Sequence, residues 1–335
     1  MLQFARFATM RGAMALFTLF LVSFIVFSLM EMVPGDCAER YLAFKDTQGG
    51  GISIADIEAE RIRLGLDKPF VQRWTSWLGN VFIHGEFGDS CILRVNINRL
   101  LGDKFLISLG ICLAALILAY AIAIPVGIIA ATAKNPLTNN SLRFISYLGL
   151  AMPNFLLALM IMLASTVLFG DSMTGLFSKE FRDAAWSYDR VMDFLGHAWL
   201  PVFILGWSAT AFALQTVRAL MSDEIGKLYV TAAAARGISG RRLLWRYPAR
   251  HALSPIVNSL GFDLNRIFNE LPIVALIMTL TETGALLIEA LARSNDQQLA
   301  GAIIFLLTAS IVGLNFLTDI LLAVLDPRIR KGIMG

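Results

Sequence analysis

The chain has 335 residues, of which 57% are hydrophobic and 16% charged, and its mean hydropathy is +0.67. Soluble domains are usually about 45–50% apolar and about a quarter charged, so the composition excludes an ordinary soluble fold and marks an all-α, polytopic membrane protein. The net charge of +3 lies in loops and makes no case for nucleic acid, and three cysteines with three histidines are too scattered for a metal site.

Residues 12–30 carry no charge and follow Arg6 and Arg11. The run is longer than a signal-peptide core and lacks its cleavage site, so it reads as an uncleaved first transmembrane helix with its N-terminus in the cytoplasm. Val33, Pro34 and Gly35 end it, because proline and glycine both break helices. Residues 34–104 are polar and of mixed charge. Within them Ser53 and Asp56 form a capping-box signal for a helix Ile54–Leu64. The aromatics Phe70, Trp74, Trp77 and Phe82 give this segment apolar surface to bury, which predicts an ordered region of short helices.

Residues 105–133 form the second span, where Pro125 and Gly127 predict a kink or close packing. Lys134 and Arg143 flank a short cytoplasmic loop. Spans follow at 144–170, which carries Met152-Pro153-Asn154, and at 194–217, with a polar outer loop at 171–193. The stretch from 218 to 251 holds seven bases against Asp223 and Glu224, which places it in the cytoplasm. Its alanine run from Ala232 to Ala235 favours a helix, Gly237 suits a left-handed cap, and Ser239 stands where a second short helix begins. Two short helices joined by a glycine turn, basic and amphipathic, make a docking surface rather than a catalytic one. The fifth span covers about 255–281 and the sixth about 299–322. The tail 326–335 carries Arg328, Arg330 and Lys331 and reads as cytoplasmic.

These stretches resemble the inner-membrane permease subunits of binding-protein-dependent ABC importers, in the oligopeptide/dipeptide (peptide, nickel and opine) branch. The resemblance rests on Val33-Pro34-Gly35-Asp36, Leu64-Gly65-Leu66-Asp67-Lys68-Pro69 and Gly85-Glu86-Phe87-Gly88-Asp89-Ser90. It also rests on Tyr229, Val230, Ala233, Ala235, Gly237, Arg250, Ala252, Leu253 and Pro255, and on the terminal Asp326-Pro327-Arg328-Ile329-Arg330. The chain departs from the pattern at Cys37, at Leu228, at His251 and at Thr281-Glu282-Thr283, where only Gly284 keeps the usual residue.

The resemblance implies six transmembrane helices in the type I (MetI-like) permease arrangement. It divides the chain into an N-terminal helix (1–33), a periplasmic segment (34–104), a core permease domain (105–325) with its coupling loop at about 218–255, and a cytoplasmic tail (326–335). It implies a homologous second permease subunit, two ATPase subunits, a periplasmic solute-binding protein and surrounding lipid in a bacterial inner membrane. No phosphate-binding Gly-Lys-Ser/Thr loop is present, so the expectation is no cofactor or enzymatic activity in this chain, with ATP and Mg held by the partner ATPases. ATPase coupling falls to Tyr229, Ala232, Ala233, Arg236, Gly237, Arg241, Arg242 and Arg250.

The fifth span is unusual. Asp263, Arg266 and Glu270 are spaced i,i+3 and i,i+4 and share one helix face. An ionisable group at the bilayer centre costs about 2.5–3.5 kcal/mol, so the three must face protein or a wet path. Two readings stay open: a self-compensating structural group against another subunit, or a polar lining of the translocation path together with Asn154. In the second, the acids would favour cationic groups of a solute and Arg266 its carboxylates. A rival class, a stand-alone proton-coupled secondary transporter using Asp263 and Glu270, has no need of a basic two-helix dock. Cys37 and Cys91 share the oxidising periplasmic segment. That permits a disulfide, against a default of two free, partly buried thiols. Cys112 reads as a small apolar residue.

Overall fold

The computed structural model describes residues 2–32, 34–46, 53–133, 135–170, 173–182, 184–280 and 282–325. The sequence readings at Val33, Lys134, Thr281 and the tail 326–335 lie outside the described residues. The described chain is helical throughout, apart from loops and one isolated bridge between Asp89 and Asn96. It divides into two compact units, residues 1–107 with 282–316, and residues 108–281 with 317–335.

The first unit is organised on α1 (Leu2–Met32), which stops just before Pro34-Gly35. Four short helices follow: α2 (Cys37–Asp46), α3 (Ile54–Leu64), α4 (Phe70–Gly79) and α5 (Ile97–Leu101). The α3 capping box forms as its sequence requires: Asp56 N–H donates to Ser53 Oγ at 3.2 Å, and Ser53 N–H donates to the Asp56 carboxylate at 3.0 Å. The backbone N–H of Ser53 holds the exposed Asp56 carboxyl below its ordinary range. Gly65 ends α3 at φ +67°, a conformation costly for any residue with a Cβ.

The aromatics of α4 bury against α1. Trp74 meets Phe20 and Phe24 edge-on at 5.2 and 5.3 Å, and Trp77 meets Phe27 at 5.9 Å and Phe305 at 5.4 Å. A bidentate ion pair, Arg73 to Glu31 at 2.6 and 2.7 Å, fixes the register of α4 on the end of α1. The unit is completed by α13 (Thr283–Ile288) and by the described part of α14 (Gln297–Leu325) up to Phe316.

Cys37 and Cys91 are joined as a disulfide with Cα atoms 5.4 Å apart, packed with Ile92, Leu64 and Leu66. Free thiols, the default reading of the sequence, are therefore not what the fold contains. Beside the bridge, buried Asp296 accepts from Ser90 Oγ, from Cys91 N–H at 3.2 Å and from Leu299 N–H at 3.0 Å. One carboxylate thus caps α14 and holds the loop that carries Cys91.

In the second unit α9 (Tyr188–Ile225) runs 38 residues and is packed by α6 (Lys104–Thr132), α7 (Pro136–Ala151), α8 (Asn154–Phe169) and α12 (Pro248–Ile277). Apolar burial drives little helix association in lipid, so close approach through small residues carries the packing. A Cβ on Gly127 would lie 2.7 Å from Val217 Cβ, and one on Gly149 would lie 2.7 Å from Ala211 Cβ. Close packing, one of the two outcomes expected at 125–127, appears at Gly127, and α6 continues through Pro125.

The third span differs from expectation. It is a broken pair, α7 and α8, bent by 96° at Met152 and Pro153. Pro153 lacks a backbone N–H and pushes Met152 out of the helical region to φ −98°, ψ 114°, which is the physical reason for the break. The outer loop is also shorter than predicted, because Ser187 caps α9 and the helix begins at Tyr188. Among the described residues four helices, α1, α6, α9 and α14, are long and apolar enough to cross a membrane, or five segments if the bent pair counts as one span. The fifth predicted span, α12, is 30 residues long but carries Arg250, Asp263, Arg266 and Glu270, and is not among these helices.

Candidate functional site

Two features of the second unit gather the residues singled out by the sequence. The first is the pair α10 (Leu228–Ala235) and α11 (Gly240–Arg246). Gly237 stands between them at φ +84°, with its N–H on Ala234 O at 2.9 Å and the Ile238 N–H on Ala233 O at 3.3 Å, so the turn requires a residue without a Cβ. Ser239 occupies the N-cap position of α11 in extended backbone but its side chain makes no cap bond, contrary to its expected role. Val230 and Ala233 are the buried face of α10. Ala232, Arg236, Arg241, Arg242 and Arg250 are exposed, and none of these arginines forms an ion pair with a described residue. Among the bases stand two exposed apolar side chains, Leu228 at 87% and Trp245 at 50% exposure. A Trp and a Leu open to solvent within a cationic surface are what a protein partner covers.

The pair is fastened to a long apolar helix. Tyr229 Oη and Lys227 Nζ both donate to Glu224 at the end of α9, and the Tyr229 ring meets the His251 ring at 5.3 Å. Burial, and then the bond to Glu224, push the Tyr229 phenol up to about 12. α10 is therefore tied to α9 through a charge-assisted bond. Glu224 and Lys227 were not singled out from the sequence, and their only signal was an acid five residues before a tyrosine.

The second feature is the charged face of α12. Asp263 is 1% exposed, accepts from Tyr120 Oη of α6 and lies 3.7 Å from Arg266 Nη2. Tyr120 also shares a hydrogen bond of 3.0 Å with Ser259. Glu270 turns to a different partner, accepting from Asn154 Nδ2. Asn154 is a junction: it opens α8 just after the break, donates to Leu205 O at 3.1 Å and accepts from Ser208 N–H at 3.3 Å. Asp263 and Arg266 form an i,i+3 ion pair, and each acid also takes a hydrogen bond from another helix. Asp263 is held by α6, and Glu270 by the broken pair. Arg266 lies between them with its guanidinium 5.0 Å from the Phe212 ring. Tyr120, Ser259 and Phe212 are the partners that sequence reasoning missed. A tyrosine and a serine in apolar runs are weak signals until their depth is known.

Cys37 and Cys91 belong to the first unit and are bonded to each other, away from both features in the chain. No group of three or more His, Cys, Asp or Glu side chains is arranged for a metal among the described residues.

Comparison with known proteins bears on these two features. Residues 123–331 match the binding-protein-dependent transport system inner membrane component family, and residues 1–94 match the N-terminal part of the membrane components of such systems. Among relatives, the oligopeptide transport system permease protein AppB of Bacillus subtilis (strain 168) is 28% identical over 97% of this chain and 99% of its own length. The dipeptide transport system permease protein DppB of Escherichia coli (strain K12) is 26% identical over 92% of this chain and 94% of its own length. A putative peptide transport system permease protein of Brucella abortus (strain 2308) is 27% identical over 96% and 97%. With a helical fold, several membrane-length apolar helices and a family match across both parts of the sequence, the chain belongs to the inner-membrane components of binding-protein-dependent transport systems.

Proposed function

We propose that this chain is the permease subunit of an ATP-driven importer that carries peptides, or a related small polar solute, into the cytoplasm by alternating access. A periplasmic solute-binding protein delivers the solute, a homologous second permease completes the pathway, and two ATPase subunits holding ATP and Mg dock against α10 and α11. In this reading the chain crosses the inner membrane six times, with α12 as the fifth crossing and both termini in the cytoplasm, and 34–104 lies in the periplasm. Tyr229, Ala232, Ala233, Arg236, Gly237, Arg241, Arg242 and Arg250 serve the ATPase contact, while Asp263, Arg266, Glu270 and Asn154 border the path.

The observation that carries the reading is the exposed basic pair of helices bonded through Tyr229 to Glu224 at the end of a membrane-length helix. Closure of ATPases below it has a direct mechanical route into the bundle. The family match and the names of the relatives support import of peptides driven by partner ATPases. Nothing comparable supports a stand-alone proton-coupled carrier. The test is uptake of a dipeptide library by the complex in proteoliposomes. Uptake requires ATP on the ATPase side and the binding protein on the other, and uptake driven by a proton gradient without ATP refutes the reading.

A further inference from the structure

Arg266 differs from the two acids on its helix face in one respect. Asp263 has the Tyr120 hydroxyl, and Glu270 has the Asn154 amide. The Nε and Nη2 of Arg266 are buried and reach no hydrogen-bond acceptor among the described residues. Its nearest carboxylate oxygen, Asp263 Oδ1 at 3.7 Å, lies beyond hydrogen-bonding distance and is itself without a donor. The remaining contact is with the Phe212 ring, which lies 5.0 Å from the guanidinium carbon and attracts the cation without accepting its N–H groups. Its side chain keeps 26% of its surface exposed, whereas Asp263 keeps 1%. A guanidinium cannot lose its charge, and leaving its donors unmet in a low-dielectric setting is costly. Arginine is also the side chain whose planar fork matches a carboxylate with two parallel hydrogen bonds. Each acid takes a hydrogen bond from a protein donor, whereas Arg266 keeps only its 3.7 Å ion pair with Asp263 and has two buried donors unmet, so the face is built to receive an anion rather than to greet both ends of a zwitterion equally.

We infer that Arg266 is a specificity-determining residue that receives a carboxylate of the transported solute, with Phe212 and Asp263 holding the guanidinium in place. The inference rests on the importer reading for the identity of that solute, but not for the chemistry of the site. A carboxylate from a neighbouring subunit would satisfy the same donors, and the test separates the two sources.

The complete importer in proteoliposomes is given Ala-Ala and its C-terminal amide. Uptake is normalised to solute loaded on the binding protein, which removes that protein's own selectivity. The wild type is expected to prefer the free acid by at least roughly tenfold, because a site with unmet donors rejects the analogue that cannot accept them. Arg266→Gln is expected to bring the ratio near one by slowing the acid, and Arg266→Lys to keep part of the preference. An unchanged ratio in Arg266→Gln at normal complex levels overturns the inference. So does equal slowing of both probes in both variants, or loss of permease pairing with the ratio intact, which would assign the carboxylate to the neighbouring subunit. Phenylglyoxal labelling of Arg266, read by mass spectrometry during ATP turnover, supplies a readout that does not depend on peptide import. N-acetylalanine is expected to protect Arg266 and N-acetylalaninamide is not. If the wild type imports neither dipeptide, the peptide reading falls while the labelling still decides the carboxylate site, and equal labelling under both compounds overturns it.

Discussion

Asn154 Nδ2 donates to Glu270 Oε2, so the first residue after the break between α7 and α8 is bonded to the charged face of α12. The same amide also bonds Leu205 O and Ser208 N–H on α9. Three helices therefore meet at one side chain, and an amide, with both donor and acceptor, is the group that can serve all of them.

Replacing Asn154 with Leu takes the amide donor away from the Glu270 carboxylate. The expected loss is roughly 2–5 kcal/mol, seen as less folded permease in the membrane and a lower unfolding temperature in detergent. Adding Glu270→Gln to that variant should recover part of the loss, because no charge is then left unpaired. Additive damage in the double variant would mean that the two residues are not coupled.

Gly127 sits under Val217, and its missing side chain is what lets α6 and α9 approach. Gly127→Leu is expected to cost about 1–3 kcal/mol by overpacking, and Val217→Ala in the same chain to return part of it. Thermal unfolding of the purified complex measures both. A stable Gly127→Leu protein would contradict the close crossing.

The Cys37–Cys91 bridge closes a sequence separation of 54 residues in a segment with few buried apolar groups. Its removal by a double serine substitution is expected to cost roughly 2–5 kcal/mol in the stability of the first unit. Alkylation of the denatured, unreduced protein should modify Cys112 alone. Three alkylated cysteines would show that the bridge is absent.

Tyr229 ties the docking pair to α9. Its phenol is raised from 10.0 to about 12 by burial and by Glu224, so the stability that it contributes is fully present below pH 10.0 and is lost as the pH rises through about 12. Association of the ATPase with the permease is therefore expected to show no titration from Tyr229 between about pH 6 and 9. Tyr229→Phe, which removes the hydroxyl, is expected to lower coupled uptake across that whole range. A variant defective only at the alkaline end would contradict this role.

Much of the architecture could be read from residue order. The uncharged runs mark α6 and α14 to within a few residues and the end of α1, which begins ten residues before its run, while Ser53 and Asp56 mark the start of α3 and Gly237 the turn of the docking pair. Each is a local signal, set by backbone preferences or by the needs of a lipid-exposed helix. The rest depends on partners far away in the chain. The sequence reads as one span through Met152-Pro153, whereas the 96° bend there goes with bonds from Asn154 to Leu205, Ser208 and Glu270. The spacing of Asp263, Arg266 and Glu270 shows that they share a face. It does not show that Tyr120, 143 residues earlier, takes one acid, that Asn154 takes the other, and that Arg266 is left with unmet donors. Asp296, at the start of α14, gathers a loop more than 200 residues away in sequence.

The central claim is that the glycine turn between α10 and α11 shapes the surface through which partner ATPases drive this permease. Gly237→Val forces a β-branched side chain into a left-handed position at φ +84°, with open space around it, so the fold of the bundle is spared while the turn is not. The direct measurement is ATP-dependent solute uptake by Gly237→Val importer at membrane levels matched to the wild type. The expected result is loss of at least roughly nine-tenths of uptake, with substrate-stimulated ATP hydrolysis uncoupled or abolished. Uptake at the wild-type rate by a well-assembled Gly237→Val complex would contradict the claim.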